Sequence, residues 1–243
     1  KMNVKRIAMW SGPRNLSTAL MRSFASRNDC SVVDEPFYAA YLKVSGKNHP
    51  MKDLILKTYN VDPRRVSHDC AIGGVTTKLQ YQKHMTHHML DMFDRSFIYS
   101  VDNAFLIRSP EKVIRSFGKK IIDFSLADLG YKQQLDLFNM ICDKTGTVPP
   151  VVDADDLCSS PEIILKKLCQ KLSIRYSHKM LSWKAGSHSY DGVWGRYWYK
   201  SVNKSCGFSF KEDYFEELSS SQSSLIKESS QYFEQLNQYK ITV

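Results

Sequence analysis

Residues 12–18 read Gly-Pro-Arg-Asn-Leu-Ser-Thr and stand between an apolar stretch and a helical pattern. These residue types, in this order, suit the binding of an oxyanion. The first turn of a helix carries unpaired N–H groups and a partial positive charge, so anions settle there. Gly12 lets the backbone approach closely, Pro13 stiffens the turn, and Arg14 offers a planar, permanently charged fork for phosphate or sulfate oxygens. Asn15 and Leu16 complete the loop, and Ser17 and Thr18 add hydroxyl donors from the first helical turn. The same letters also fit a plain strand-to-helix turn capped by a hydroxyl. A nucleoside-triphosphate loop needs Gly-Lys directly before the hydroxyl pair. Asn15-Leu16 occupies that place here, which disfavours magnesium-dependent NTPase or kinase chemistry.

Two further groups of residues carry chemistry. Arg108 ends the strand-like "AFLIR", and Ser116 follows eight residues later inside the next helical pattern. Neighbouring strands of a parallel sheet end on one edge, where ligands bind; Arg108 and Ser116 can therefore form a second phosphate site beside the first loop. In "YQKHMTHHML", Lys83 and His84 are adjacent and His88 lies four residues beyond His84. An imidazole suits general-base work near neutral pH. The His84/His88 spacing also fits zinc, but the HExxH glutamate is missing and no Cys or carboxylate stands at ligand spacing, so no metal is expected. Ordinary surface or capping roles for these histidines remain the plain alternative.

These residues must be positioned by alternating strands and helices. "VKRIAMW", "CSVVDEPF", "GGVTTKLQYQKHM", "AFLIR" and "PPVVDADDL" read as strands or extended segments, and "LSTALMRSFASR", "MKDLILKTYN" and "YKQQLDLFNMICDKTG" as helices. "THHMLDMF" fits a further helix. Pro110 opens the helix "EKVIRSFGKKIIDFS" at its first position, and Ser160-Pro161 caps and opens "SPEIILKKLCQKLSI". "DYFEELSSSQSSLIKESSQYFEQL" reads as a closing helix, after a long Gly-, Ser- and aromatic-rich loop. The alternation implies an α/β fold with a central parallel sheet covered by helices on both faces, as a single domain over residues 1–243.

The 243 residues carry a net charge of +9, scattered in short runs. That pattern suits a small polyanionic ligand better than nucleic acid. The six cysteines are far apart with no CxxC, no secretory signal is read, and no apolar run reaches the roughly 18 residues of a membrane span. Free thiols in a cytoplasmic protein without membrane contact are the expectation.

With these motifs in hand, the chain resembles the sulfotransferase family. The family's 5′-phosphosulfate loop matches at Pro13, Arg14, Ser17 and Thr18 and departs at Leu16, where the family often has Gly. Its 3′-phosphate site matches at Arg108 and Ser116. The closer resemblance is to sulfotransferase-like proteins sharing "WSGPRxLST", the Asp34-Glu35-Pro36 motif and a late segment holding Trp183, Asp191-Gly192, Tyr197-Trp198-Tyr199 and Ser205 to Phe208.

The resemblance implies a P-loop NTPase-like three-layer fold and use of 3′-phosphoadenosine 5′-phosphosulfate as co-substrate, with 3′,5′-bisphosphoadenosine as product. It implies no metal and a small-molecule acceptor bearing a hydroxyl or amine. Lys83 would pair with the transferring sulfuryl and His84 would be the base, although the family's His usually stands two residues past its Lys; His88 is the second candidate. Ser205 and Gly207 would close a late loop over the 3′-phosphate, with Lys204 standing in for the absent Arg-Lys-Gly. Read from the residues themselves, Asp34-Glu35 after its strand can touch the acceptor or order the Arg14 loop, or equally cap or pair structurally, and Phe37, Tyr38, Tyr41, Trp194, Tyr197 and Trp198 can line the acceptor pocket or fill the core. A nucleotide kinase or NTPase, and a non-catalytic nucleotide-binding module, are the alternatives.

Overall fold

The computed structural model describes residues 4–121, 123–209 and 217–243. Five parallel strands, β1 (Lys5–Ser11), β2 (Cys30–Asp34), β3 (Leu79–Met85), β4 (Asp102–Ile107) and β5 (Val151–Asp153), form one sheet in the order β2-β3-β1-β4-β5. The first two helices are α1 (Ser17–Ala25) and α2 (Tyr38–Ser45), followed by α3 (Lys52–Thr58), α4 (Pro63–Ile72) and α5 (Pro110–Gly118). Then come α6 (Leu126–Leu129), α7 (Tyr131–Thr145), α8 (Ala154–Ser159), α9 (Pro161–Lys171), α10 (Gly195–Trp198) and α11 (Ser220–Asn237).

The two faces of the sheet are set by the alternation of side chains along each strand. Ile7, Met9, Tyr81, Leu106 and Val152 face Leu20 and Phe24 of α1 and Ile164, Leu165 and Leu168 of α9. Ala8, Trp10, Phe105, Ile107 and Val151 face Phe138 and Ile141 of α7, Leu236 of α11 and Val66 of α4. Both faces are apolar, as a parallel sheet between helix layers requires. The fold is the P-loop-like three-layer α/β architecture expected.

Some elements differ from the sequence reading. The helix expected over "THHMLDMF" does not form: β3 ends at Met85, as read, and only a single 3-10 turn, Thr86–His88, follows. Helix α5 stops at Gly118, while Ile121 and Phe124 still pack against its apolar face from the loop beyond. Residue 122 and residues 213–216, read within helices, lie outside the described residues.

Helix α1 is fastened to the long late loop by a buried cation. Arg22 is fully buried and donates to Gly186 O (2.7 Å), Asp191 Oδ2 (3.0 Å) and Asn203 Oδ1 (2.7 Å). Ser23 Oγ donates to Met180 O at 2.6 Å beside it. Arg22→Met would leave Asp191 buried without its counter-ion. The expected cost is about 3–5 kcal/mol, read as a lower midpoint in urea unfolding with an unchanged slope.

Candidate active site

A cleft of about 510 Å³ opens where the carboxyl ends of the strands meet the late loop. That volume is in the range of small-ligand sites. The strand order spreads its contributors along one edge. Glu35 follows β2, Lys83 and His88 come from β3 and its turn, Pro13, Arg14 and residues 16–19 follow β1, and Arg108 follows β4.

The loop after β1 has an unusual backbone. Arg14 and Leu16 both have φ of 63°, in the left-handed region. Leu16 precedes α1 with no side-chain cap. Alternating left- and right-handed residues turn successive N–H groups toward one point and make an anion cradle. Glycine adopts this conformation without cost, which explains the family's preference for it at position 16; leucine holds it at roughly 1–2 kcal/mol. The Leu16 side chain offsets part of that by packing against the core.

The loop's other residues divide by role. Pro13, Arg14, Leu16, Ser17 and Thr18 border the cleft. Gly12 and Asn15 do not, which corrects their expected place at the ligand. A Cβ on Gly12 would lie 2.5 Å from Leu129 O, so glycine is required there by close packing. Asn15 is 1% exposed and donates to Leu106 O at 3.2 Å, holding the loop to β4.

The two phosphate groups of residues read separately from the sequence meet here. Arg14 Nε donates to Ser116 Oγ (3.0 Å), and Arg108 Nη1 donates to Arg14 O (3.0 Å). Arg108 Nε is buried and has no hydrogen-bond partner among the described residues. Burial, with the neighbouring Arg108 adding repulsion, holds Arg14 below the usual arginine value. An anion bound between the two guanidiniums would relieve both costs. Ser205 and Gly207 also border the cleft, Gly207 being bridged to Ser182 in antiparallel fashion. Lys204 is exposed and does not border it, so it does not replace the missing basic motif.

At the β2–β3 end lies a buried ionic cluster. Lys83 registers with Asp34 across the two strands and is 1% exposed. Its Nζ donates to Asp34 Oδ1 (3.0 Å), Glu35 Oε1 (2.7 Å) and the Tyr199 hydroxyl (2.6 Å). The Tyr199 O–H reaches Asp34 Oδ2 at 2.7 Å, and Trp194 Nε1 donates to the same hydroxyl at 3.0 Å. Gly192 N donates to Asp34 Oδ2 at 2.9 Å, tying the late loop to β2. Burial pulls the Lys83 ammonium down, but Asp34 and Glu35 together push it above the usual lysine value. Burial raises the Glu35 carboxyl above the ordinary range, against the pull of Lys83. Glu35 also sits at a φ of 42°, a strained conformation of the kind that gathers at functional sites.

His84 does not reach the cleft, which corrects its assignment as base. Adjacent residues of a strand face opposite sides of the sheet. Lys83 pairs with Met9, whereas His84 pairs with Trp10 and stacks on its ring at a centroid distance of 4.4 Å. His84 Nε2 donates to Gln82 Oε1 at 3.0 Å, and burial lowers the imidazole to about 3. The residue two past Lys83, on the same face, is Met85, and it borders the cleft. His88 does border the cleft, stacked on Tyr38 (4.5 Å) and Tyr41 (4.7 Å), with His87 at 4.3 Å. Burial, and then His87, hold His88 well below the usual imidazole value.

Of the aromatic residues considered for the pocket, Tyr38 and Trp198 border it, while Phe37, Tyr41, Trp194 and Tyr197 do not. Phe37 belongs to the aromatic core around Trp10 and Phe97. Tyr199, His87 and Lys112 border the cleft and were not singled out as site residues from sequence. The register of Asp34 with Lys83 is the signal for the ionic cluster, and it requires the sheet to be known.

A sulfotransferase-domain family model matches residues 5–237. The chain belongs to the sulfotransferase family. Two Arabidopsis thaliana proteins, branched-chain-amino-acid aminotransferase-like proteins 1 and 2, are 39% and 38% identical to it over 208 residues. The match takes in 86% of this chain but 37% of theirs, so the chain spans little more than a third of the curated relatives' length. The sulfotransferase domain from the curacin biosynthetic pathway shares the fold, with a TM-score of 0.50 and 14% identity over 95% of this chain and 99% of that one. The sulfotransferase from Alicyclobacillus acidocaldarius does so with a TM-score of 0.55 and 8% identity over 98% and 97%. Among the described residues of this sulfotransferase domain, no cluster of three or more His, Cys, Asp or Glu could hold a metal ion. No helix among them is long and apolar enough to cross a membrane.

Proposed function

We propose that this domain transfers a sulfuryl group from 3′-phosphoadenosine 5′-phosphosulfate to a hydroxyl or amine of a small molecule, without a metal. The observation that carries the reading is the junction of Arg14, Ser116 and Arg108 at one end of the cleft. The loop at 13–18 and the N-terminus of α1 would hold the 5′-phosphosulfate. Arg108 and Ser116, with Ser205 and Gly207 from the late loop, would hold the 3′-phosphate.

The acceptor enters from the β2–β3 side and loses its proton to Glu35. Met85 occupies the place two past Lys83 where the family's base usually stands, and Glu35 is the carboxylate that borders the cleft against Lys83. The acceptor atom forms its bond to sulfur as the S–O bond to the 5′-phosphate breaks, and the leaving electron pair stays on phosphate. Proton transfer to Glu35 removes one of the two carboxylates that neutralise Lys83. The ammonium field then becomes available to oxygens whose negative charge is growing, which is where preorganised electrostatics does most for a rate. His88 stands close enough to the same space to be the alternative base.

The relatives' aminotransferase-like names belong to proteins of which this chain matches 37%. Lys83, held as an ammonium between Asp34 and Glu35, is poorly suited to the Schiff-base chemistry such a name suggests.

Thermal unfolding with 3′,5′-bisphosphoadenosine, and separately with ATP and Mg²⁺, tests the reading. Ligand at 100 times its Kd stabilises by about 2.7 kcal/mol, so the bisphosphate should raise the Tm by several degrees and ATP by far less. ATP turnover without transfer from phosphosulfate would establish the kinase or NTPase alternative. Bisphosphate binding without transfer to a broad acceptor panel would establish a binding module.

A further inference from the structure

The cleft is electrically lopsided along the sheet edge. On the β1–β4 side stand Arg14 and Arg108, with Lys112 paired to Asp155 at 2.9 Å. On the β2–β3 side Glu35 borders the cleft and shares the ammonium of Lys83 with Asp34, which lies buried behind the lining. Lys47, at the mouth of that side, is paired with Asp128 at 2.8 Å. Tyr38, Asn48, Met85 and three imidazoles, His49, His87 and His88, also border the cleft. His87 and His88 are 8% and 2% exposed, and neither has a partner for its Nδ1 among the described residues. Burial lowers His87 to about 3 and His88 well below the usual imidazole value, so both rings are neutral at pH 7.

We propose that the β2–β3 end of the cleft takes the acceptor as a primary ammonium, so that this sulfotransferase domain acts on amines. The inference rests on the reading of the site given under Proposed function. A buried space with two carboxylates against one lysine favours a second cation and disfavours an anion. A neutral imidazole offers one lone pair and one N–H, and so accepts from an ammonium without repelling it. The lysines of the loop after α5, Lys119 and Lys120, also border the cleft, and Lys120 lies over the Tyr197 ring at 5.3 Å.

The chemistry balances without another reagent. The ammonium gives one proton to the Glu35 carboxylate, and the freed lone pair forms the N–S bond. The S–O bond to the 5′-phosphate breaks, and its electron pair leaves on the phosphate oxygen as 3′,5′-bisphosphoadenosine. The sulfonated nitrogen then releases its second proton to water.

Calorimetric titration at pH 7, with 3′,5′-bisphosphoadenosine saturating, separates the charge classes with three probes of one chain length: butylammonium, butanol and butyrate. Butylammonium should bind about tenfold or more tightly than butanol, and butyrate most weakly. Glu35→Gln should bring butylammonium and butanol within threefold of each other. His87→Leu, outside the ionic cluster, should weaken butylammonium more than butanol. Butanol binding as tightly as butylammonium overturns the inference, as does tighter binding of butyrate or no binding of any probe. The bisphosphate titration is read first and on its own, so a failure of the donor site is distinguished from a failure of the amine assignment.

Discussion

Arg14→Ala is expected to lower kcat/KM by about 10³-fold while leaving the fold intact. Two losses combine. A guanidinium that donates to a charged oxygen contributes about 1.5–3 kcal/mol, and removing one donor aimed at developing charge costs about 10²–10³ in kcat. The side chain is not a packing element of the core, so its truncation should move the unfolding midpoint little. It does orient Ser116, whose Oγ it holds at 3.0 Å. Ser116→Ala should therefore weaken bisphosphate binding by roughly tenfold, about 1.4 kcal/mol, a much smaller effect than that of Arg14→Ala. Arg14→Lys should recover only part of the loss, because an ammonium supplies charge but not the planar fork. Steady-state kinetics at a fixed acceptor concentration, with bisphosphate affinity measured in parallel, checks all three. An Arg14→Ala rate within threefold of the parent would remove the loop from the donor site.

The proposed donor half of the cleft was legible because its signals are local. A strand ending in Ser11, a Gly-Pro turn and a hydroxyl pair at a helix start follow one another without interruption. Arg108, Pro110 and Ser116 repeat that punctuation after β4. Neither stretch needs knowledge of the rest of the chain. The sheet then brings the two together, since β1 and β4 are neighbours. Helix α4 was equally accessible, since Asp62 accepts from Arg64 N as an N-cap and Pro63 stands at the first helical position. No element was assigned to residues 63–72 from the sequence.

The proposed acceptor half was legible only in part, for a geometric reason. Whether Lys83 and His84 share a site depends on where β3 ends. At a helix start, adjacent residues lie about 100° apart and can both face a ligand; on a strand they lie on opposite faces. β3 runs to Met85, and that one boundary sends His84 into the aromatic core. The extended segment read from the sequence already runs through Met85, yet that reading gives Lys83 and His84 to one site, which a strand denies to adjacent residues. Tyr199 is a second example. It lies 116 residues from Lys83, and only the closure of the late loop, fastened through Asp34 and Arg22, brings its hydroxyl within 2.6 Å. Leu16 works the other way. Its departure from the family's glycine was visible in the sequence, and the backbone gives the physical meaning: a left-handed residue directly before α1.

Glu35→Gln is expected to lower kcat by about 10²–10⁴-fold, the usual contribution of a positioned general base, with bisphosphate affinity changed less than twofold. The amide keeps the shape of the carboxylate and can still accept from Lys83, which retains Asp34 as its counter-ion. The fold should therefore survive at a cost of about 1–3 kcal/mol. The pH profile gives the sharper test. A base acts in its deprotonated form, so kcat/KM should rise with pH and level off above the pKa of Glu35. Because burial raises that pKa, the rising limb should lie above the ordinary carboxylate range rather than within it. Glu35→Gln should flatten that limb. His88 makes the opposite prediction on the same axis: burial and His87 lower it, so a limb set by His88 would lie well below the usual imidazole value. His88→Asn should then abolish the limb and Glu35→Gln leave it in place. Lys83→Met adds a control that a purely structural role would not satisfy. Without the ammonium, Glu35 loses the partner that favours its charged form, so in the presence of an active acceptor the limb should move to still higher pH, with a lower plateau, instead of disappearing.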